Sequence, residues 1–415
     1  MRKIIIFFII LTIIGTVSLV AINLRKDSSH TDDTSEAEIS QPIDLSGLDS
    51  YQPAGSMATV TDAGAVDAAA SQSFTISMNF VGDIMLAGND TATSSIDAMA
   101  NSQPSTYFFE NIRDYFLNDD ITIANCENVF SDNDNLVKTD KGEAAALEQY
   151  NNAVAEYNSA VALAQQTGTT VSMEKPEYTF RAFWFRSHAA TAKLLPENGV
   201  DIVSIDNNHT YDFGTDGNMD TRAALDVAGV DWGKDGKIVY KEINGFKIAF
   251  VFGSMYSAGA EQAMLVDLEE ANANSDYQVV YFHGGEEKVH AYEDWKQASC
   301  HNLVDHGADL VIGSHPHVLQ PMETYNGVNI VYSLGNFIFG GNNYPENRTL
   351  IYNQTLTVTQ DTTTGAFSVT NTDVTLIPCY VYTGESNNYQ PAVIENETDK
   401  QLVIDFMQGK RELPY

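Results

Sequence analysis

Short apolar runs recur along the chain, and five of them stop at side chains that carry lone pairs. Phe74 to Val81 alternates apolar and polar positions and breaks at Gly82-Asp83. Ile121 to Ala124 runs into Asn125-Cys126-Glu127, and Asp201 to Ile205 into Asp206-Asn207-Asn208-His209. Tyr277 to Phe282 ends at His283-Gly284-Gly285-Glu286, and Asp309 to Ile312 at Gly313-Ser314-His315-Pro316-His317. Between these runs, helical patterns cover about 107–117, 187–197, 217–228 and 291–306. Strand-like runs alternating with helical ones predict a layered α/β domain. Ile238 to Phe252, broken by Asn244-Gly245, reads as a β-hairpin.

Two stretches look like elaborations of that domain. Glu143 to Gln166 is Ala-rich with an apolar stripe at helical spacing. It predicts a helix with a packing face, inside an insertion of about 132–176. From about Thr349 the chain is Thr-rich and alternating, which predicts added strands in a β-rich extension over 346–415, with a polar end after Glu385.

In open α/β sheets a ligand sits beyond the carboxyl ends of the strands. A single His or Asp after a strand is ordinarily a loop residue. Five strand ends that all carry Asp, Glu, Asn or His predict a metal site.

The N-terminus changes the picture of where such a domain works. Ile4 to Ile22 is a 19-residue run without charge, flanked by Arg2-Lys3 and Arg25-Lys26. At about 1.5 Å per residue it is just long enough to cross a bilayer core of about 30 Å. Residues 1–26 are therefore expected to form a single-pass signal-anchor, with everything after Arg25 extracytoplasmic. A cleaved signal is the alternative, with Leu19-Val20-Ala21 as a poor cleavage site. Residues 27–73 hold nine acidic residues and no Lys or Arg. Such a segment buries too little apolar surface to offset its ordering entropy, so it reads as a disordered acidic linker. The main domain is expected over 74–345.

Composition narrows the chemistry. The 415 residues carry 22 basic and 56 acidic side chains, a formal charge of −34. That balance opposes nucleic-acid binding, which needs clustered cations on phosphates. Cys126, Cys300 and Cys379 are too few and too scattered for a disulfide framework or a Cys-rich zinc site. Cys126 reads as a small buried residue, and His188, His301 and His306 as exposed or structural. No Gly-x-Ser-x-Gly elbow and no phosphate-binding Gly-x-x-x-x-Gly-Lys loop occurs.

At the strand ends the sequence resembles the CapA family of bacterial capsule-synthesis proteins, associated with poly-γ-glutamate. The matching pieces begin with Val81-Gly82-Asp83-Ile84-Met85-Leu86, Ala124-Asn125-Cys126-Glu127 and Phe180-Arg181-Ala182. They continue with Asn208-His209-Thr210-Tyr211-Asp212-Phe213-Gly214, His283-Gly284-Gly285-Glu286, Gly307 to Val318 and Tyr332-Ser333-Leu334-Gly335-Asn336-Phe337. The resemblance implies a calcineurin-like metallophosphoesterase fold, a four-layer α/β/β/α sandwich. It also implies one or two divalent ions, for which imidazole and carboxylate ligands suit Mn, Zn or Fe.

By the same resemblance, Glu127 is the bridging carboxylate. Asn208, His283 and His315 complete one metal site, and Asp83 and His317 hold the other. His209 is the general acid, oriented by Asp212. Arg181 binds an anion or makes a structural ion pair, and Asn336 lines the pocket or caps a turn. One position departs from the superfamily's usual Asp-x-His, because Met85 stands where a metal-binding His is expected. Met is a soft ligand, poorly matched to a phosphate-binding metal. Glu286 and His290 are spare candidates near that site, with surface-loop roles as the plainer reading. Gly284, where many members have Trp, is expected to widen the pocket.

Two functions follow from the resemblance. One is a metal-dependent phosphoesterase-type hydrolase acting on a phosphoester or an envelope polymer. The other is a non-catalytic subunit that binds or guides an anionic capsule polymer. Either would work at the membrane with other capsule-synthesis membrane proteins.

Overall fold

The computed structural model describes residues 71–89, 95–167, 169–171, 173–178, 182–340 and 347–413. The expected anchor, the linker up to residue 70, and Arg181 lie outside these residues. Among the described residues no helix is long and apolar enough to cross a membrane.

The strands, in chain order, are β1 (Ser71–Ile84), β2 (Gly88–Asn89), β3 (Ile121–Cys126), β4 (Val129–Phe130), β5 (Phe185–Ser187) and β6 (Ile202–Ser204). Next come β7 (Asp231–Gly233), β8 (Val239–Ile243), β9 (Phe246–Ser254), β10 (Tyr277–His283), β11 (Leu310–Ser314) and β12 (Leu319–Tyr325). The last are β13 (Val328–Leu334), β14 (Asn336–Ile338), β15 (Arg348–Asp361), β16 (Phe367–Tyr380) and β17 (Ala392–Val393). One sheet runs β17-β16-β15-β1-β3-β6-β7, with β14 also paired to β1. A second runs β12-β13-β11-β10-β9-β8, and β2-β5-β4 form a small third.

The apolar runs explain the layers. In β9, Ile248, Phe250 and Phe252 join a core with Ile76, Met78 and Phe80 of β1, while Ala249 and Val251 face the opposite way. Strands buried on both faces need continuous apolar sequence, as β10 has in Val279 to Phe282. The helices Gln262–Asn274 and Asp294–Asp305 cover the outer face of the second sheet through Met264, Leu268, Cys300 and Leu303. Phe108, Phe116, Leu195 and Leu225 cover the outer face of the first sheet. The result is a mixed α/β fold with two sheets inside and helices outside, the layering expected. Tyr281 Oη on β10 donates to the Val81 carbonyl on β1 at 2.7 Å, tying the sheets together two residues before Asp83.

Several expectations shift. The patterns at 107–117 and 187–197 become short 3₁₀ turns and one five-residue helix, Arg113–Leu117. The helix Gln262–Asn274 lies where none was expected. The inserted helix forms over Glu143–Thr167, but its stripe is mostly half-buried. The hairpin turn is as expected, with Asn244 at φ 52° and Gly245 at φ 85°. The tail is not peripheral: β15 pairs with β1 along ten positions from Ser71 to Phe80, inside the sheet. Its end is not simply polar either. The helix Glu397–Met407, capped by Asn396, sends Leu402, Val403, Phe406 and Met407 into the core between the sheets.

Candidate metal centre

Parallel pairing brings the polar strand ends to one place. In the first sheet Asp83 of β1 is in register with Asn125 of β3 and Asn336 of β14, and Asn125 with Ser204 of β6. In the second, His283 of β10 is in register with Ser314 of β11. The carboxyl ends of both sheets meet, and Asp83, Glu127, His283, His315 and His317 are all buried there. Close backbone packing makes this possible. A Cβ on Gly82 would run into the Gly335 carbonyl, whose oxygen accepts a bond from Asp83 N at 3.0 Å.

Glu127 is the unusual member. It has no exposure, and neither carboxylate oxygen has a hydrogen-bond partner among the described residues. A buried carboxylate without partners is costly unless a cation satisfies it. His283 Nε2 lies 3.5 Å from Glu127 Oε1, 2.9 Å from Asn208 Oδ1 and 3.0 Å from His315 Nδ1. These four atoms are all potential acceptors, and metal bonds of about 2.1 Å in a tetrahedron would put such ligands about 3.4 Å apart. The donor set therefore suits a divalent ion. Ligand atoms of Glu127, His283 and His315 lie within 4.8 Å of one another, as do those of Asp83, Glu127 and His317, and those of Glu287, His315 and His317.

The far sides of the rings are held. His283 Nδ1 lies 2.9 Å from Ser314 Oγ and 3.1 Å from Asn125 Nδ2. Asn125 Nδ2 also donates to Asp83 Oδ1 at 2.8 Å, and Asn207 Nδ2 donates to Asn125 Oδ1 at 3.0 Å. His317 Nδ1 lies 2.8 Å from Asn336 Oδ1 and also 3.4 Å from Asp83 Oδ2, so in this ring the nitrogen next to Asn336 faces the carboxylates too. Such outer contacts fix ring orientation at metal sites. Asn336 is fully buried, with its Oδ1 against His317. His315 and His317 both adopt positive φ, 96° and 58°. Non-Gly residues there carry backbone strain of the kind found at functional sites.

Charge follows the geometry. Burial, and then Asp83, push the Glu127 carboxyl well above its usual range, opposed by His317. Burial lowers His283 well below the usual imidazole range and His315 to about 4, keeping both rings neutral and able to ligate. Burial also works against protonated His317, but Glu127 and Asp83 outweigh it and raise this group to about 9.

His209 and Asp212 sit beside the cluster. His209 Nδ1 is 2.8 Å from Asp212 Oδ2, which also accepts from Phe185 N at 2.8 Å. The expected pair is therefore in place. Lys141, from the inserted segment, pairs with Asp212 Oδ1 and comes within 3.4 Å of His209 Nδ1. Thr139 N donates to the Asp212 carbonyl at 3.0 Å, laying that segment against the His209 loop. Burial lowers His209, with Asp212 opposing.

Other candidates fall elsewhere. Glu286 is exposed and belongs to no ligand cluster among the described residues, and His290 Nδ1 pairs with the Leu319 carbonyl at 2.8 Å. His188 is exposed, while His301 pairs with Glu323 of β12 at 2.6 Å and His306 with the Asn302 carbonyl at 2.7 Å. Buried Cys126 is pushed up to about 12 by burial, which leaves it an inert thiol. Gly284 does not widen the pocket, because the Met255 carbonyl lies where its Cβ would be. Sequence reading missed Asn207, Lys141 and Glu287, and gave no role to Asn125 or Ser314. Asn125 and Ser314 stood inside quoted motifs; Lys141 had no local signal.

Comparison with known proteins adds similarities over parts of the chain. The model of the bacterial capsule synthesis protein family PGA_cap matches residues 144–341. That span includes Asn208, His209 and the three ligand-type histidines but not Asp83 or Glu127. The chain is 26% identical over 365 residues to the capsule biosynthesis protein CapA of Bacillus anthracis, covering 80% of this chain and 74% of that protein. It is 31% identical over 176 residues to the PGA biosynthesis protein CapA of Bacillus subtilis, covering 37% of this chain and 46% of that one. Among solved structures, the calcineurin-like phosphoesterase YfkN from Bacillus subtilis is similar over 82% of this chain and 100% of that one, at 14% identity and a TM-score of 0.39.

Proposed function

We propose, from the similarity to the CapA capsule-synthesis proteins, that this chain is a metal-dependent hydrolase of the phosphoesterase type serving capsule or envelope polymer production. The polymer class is poly-γ-glutamate, carried over from the relatives. The observation that carries the catalytic part is Glu127: a fully buried carboxylate with both oxygens unpartnered, facing His283 and grouped with Asp83, His315 and His317.

Glu127, Asn208, His283 and His315 would hold one divalent ion, and Asp83, Glu127 and His317 a second. Mn, Zn and Fe suit these ligands. Such ions would supply Lewis acidity toward a phosphoryl or carbonyl oxygen. The protein's own residues do the rest. Asp212 holds the Nδ1 proton of His209, which leaves Nε2 to carry the proton delivered to the leaving group. Lys141 pairs with Asp212 and helps hold that carboxylate beside His209. An anion beside the ring favours protonated His209, offsetting the effect of burial.

The uncharged run Ile4 to Ile22 supports a membrane anchor, with the folded domain extracytoplasmic and facing other capsule-synthesis proteins. The test is elemental analysis of the purified full chain, followed by phosphoester and polymer hydrolysis assays. Bound transition metal, lost in His283→Ala, is expected. His209→Ala should keep the metal and lose turnover. Absence of metal after incubation with Mn or Zn would overturn the reading. If His209→Ala supports polymer production as well as the parent while His283→Ala does not, the polymer-binding subunit takes its place.

A further inference from the structure

We propose that Glu287 supplies the metal ligand that Met85 cannot, completing the site formed by Asp83, Glu127 and His317; this rests on the metal-dependent reading above. Without it that site has three protein ligands, two of them carboxylates. Glu287 lies in the loop after β10, and a carboxylate oxygen of it falls within 4.8 Å of ligand nitrogens of both His315 and His317. His317 belongs also to the Asp83–Glu127 group, so Glu287 adjoins that site through a shared ligand.

The placement is built into the backbone. The loops after β10 and β11 are joined twice: Gly284 N donates to the Ser314 carbonyl at 3.0 Å, and Lys288 N to the Pro316 carbonyl at 2.8 Å. The second bond fixes the residue next to Glu287 against the one between His315 and His317. Lys288 holds φ 63° and Gly285 φ 112°, matching the positive angles of His315 and His317 in the facing loop. The loop is fastened farther along as well. Gln320 Nε2 donates to the Val289 carbonyl at 2.9 Å, and His290 pairs with the Leu319 carbonyl. Glu287 is exposed while its two neighbours are buried, so it would close the solvent side of the site. A hard carboxylate suits a phosphate-binding ion better than a thioether does.

The experiment is Mn titration of the metal-free full chain, read by elemental analysis and by electron paramagnetic resonance, for the parent, Glu287→Gln and Glu286→Gln. Far-ultraviolet circular dichroism checks that each is folded. Two ions with a spin-coupled signal are expected for the parent and for Glu286→Gln. Glu287→Gln should hold one ion tightly, give an uncoupled signal, and bind the second at least about 10–100-fold more weakly. Two ions bound equally well by parent and Glu287→Gln would overturn the assignment. So would a single ion in both, or loss of both ions from folded Glu287→Gln. No ion in the parent would instead overturn the metal-dependent reading itself.

Discussion

At the scale of single residues, the centre depends on which buried groups lack partners. Asp212 is fully buried and divides its oxygens between Lys141 and the His209–Phe185 pair. Asp212→Asn preserves shape but removes the charge that holds the His209 tautomer. We expect kcat on a phosphoester substrate to fall about 10²–10⁴-fold. Metal content and KM should change little, because no ligand is touched. A drop in metal content equal to the drop in rate would show that Asp212 supports the cluster and not the imidazole. Neighbours in sequence diverge sharply here: the Glu127 carboxylate has no hydrogen-bond partner among the described residues, while Asn128 Oδ1 accepts from Leu86 N at 2.9 Å. The pattern of donors was readable from the sequence. Their division into ligands and holders was not, since it depends on contacts such as Asn336 with His317.

At the scale of elements, the second sheet and its helices hold the loops that carry the histidines. Lys296, on the helix Asp294–Asp305, is fully buried and donates to Gln320 Oε1 on β12 at 2.8 Å. Burial is the main cause that lowers it, from 10.5 to about 8. Between those values the unfolded chain binds the proton and the folded protein does not, so stability should rise with pH through this window. Below pH 8 the cost of burying the ammonium is fully present. The gain toward pH 10.5 is at most about 3 kcal/mol, at 1.36 kcal/mol per unit. Urea midpoints from pH 7 to 10.5 should show this rise in the parent relative to Lys296→Met. Parallel curves would mean that the ammonium is not desolvated. The helix Gln262–Asn274 escaped sequence reading because Leu265 and exposed Val266 stand beside its buried Met264, Leu268 and Ala271, which blurs the helical stripe.

At the scale of the whole molecule, under the proposed function a charge of −34 would meet an anionic polymer. Long-range repulsion is screened beyond about 8 Å at physiological salt. If divalent ions bridge polymer carboxylates to the centre, association with poly-γ-glutamate should strengthen as monovalent salt rises from low values, and vanish on chelation. Association that weakens with salt and survives chelation would point to cationic side chains instead. Lys141 beside His209 is a local exception within an acidic protein, delivered by the inserted segment.

The sequence by itself determined the alternation of strands and helices, the Asn244-Gly245 turn, and the donor groups at strand ends. These are local: side-chain polarity and turn chemistry act within a few residues. It also carried the family resemblance, including the departure at Met85. Tertiary structure decided which ends converge. It put β15 and the closing helix into the core, turned Asn336 toward His317, and brought Lys141 to Asp212 and Glu287 to His315 and His317. Those outcomes depend on strand register, the meeting of two sheets, and backbone bonds between separate loops. Residues about 20 to 290 positions apart decide them, and no local pattern records such pairings.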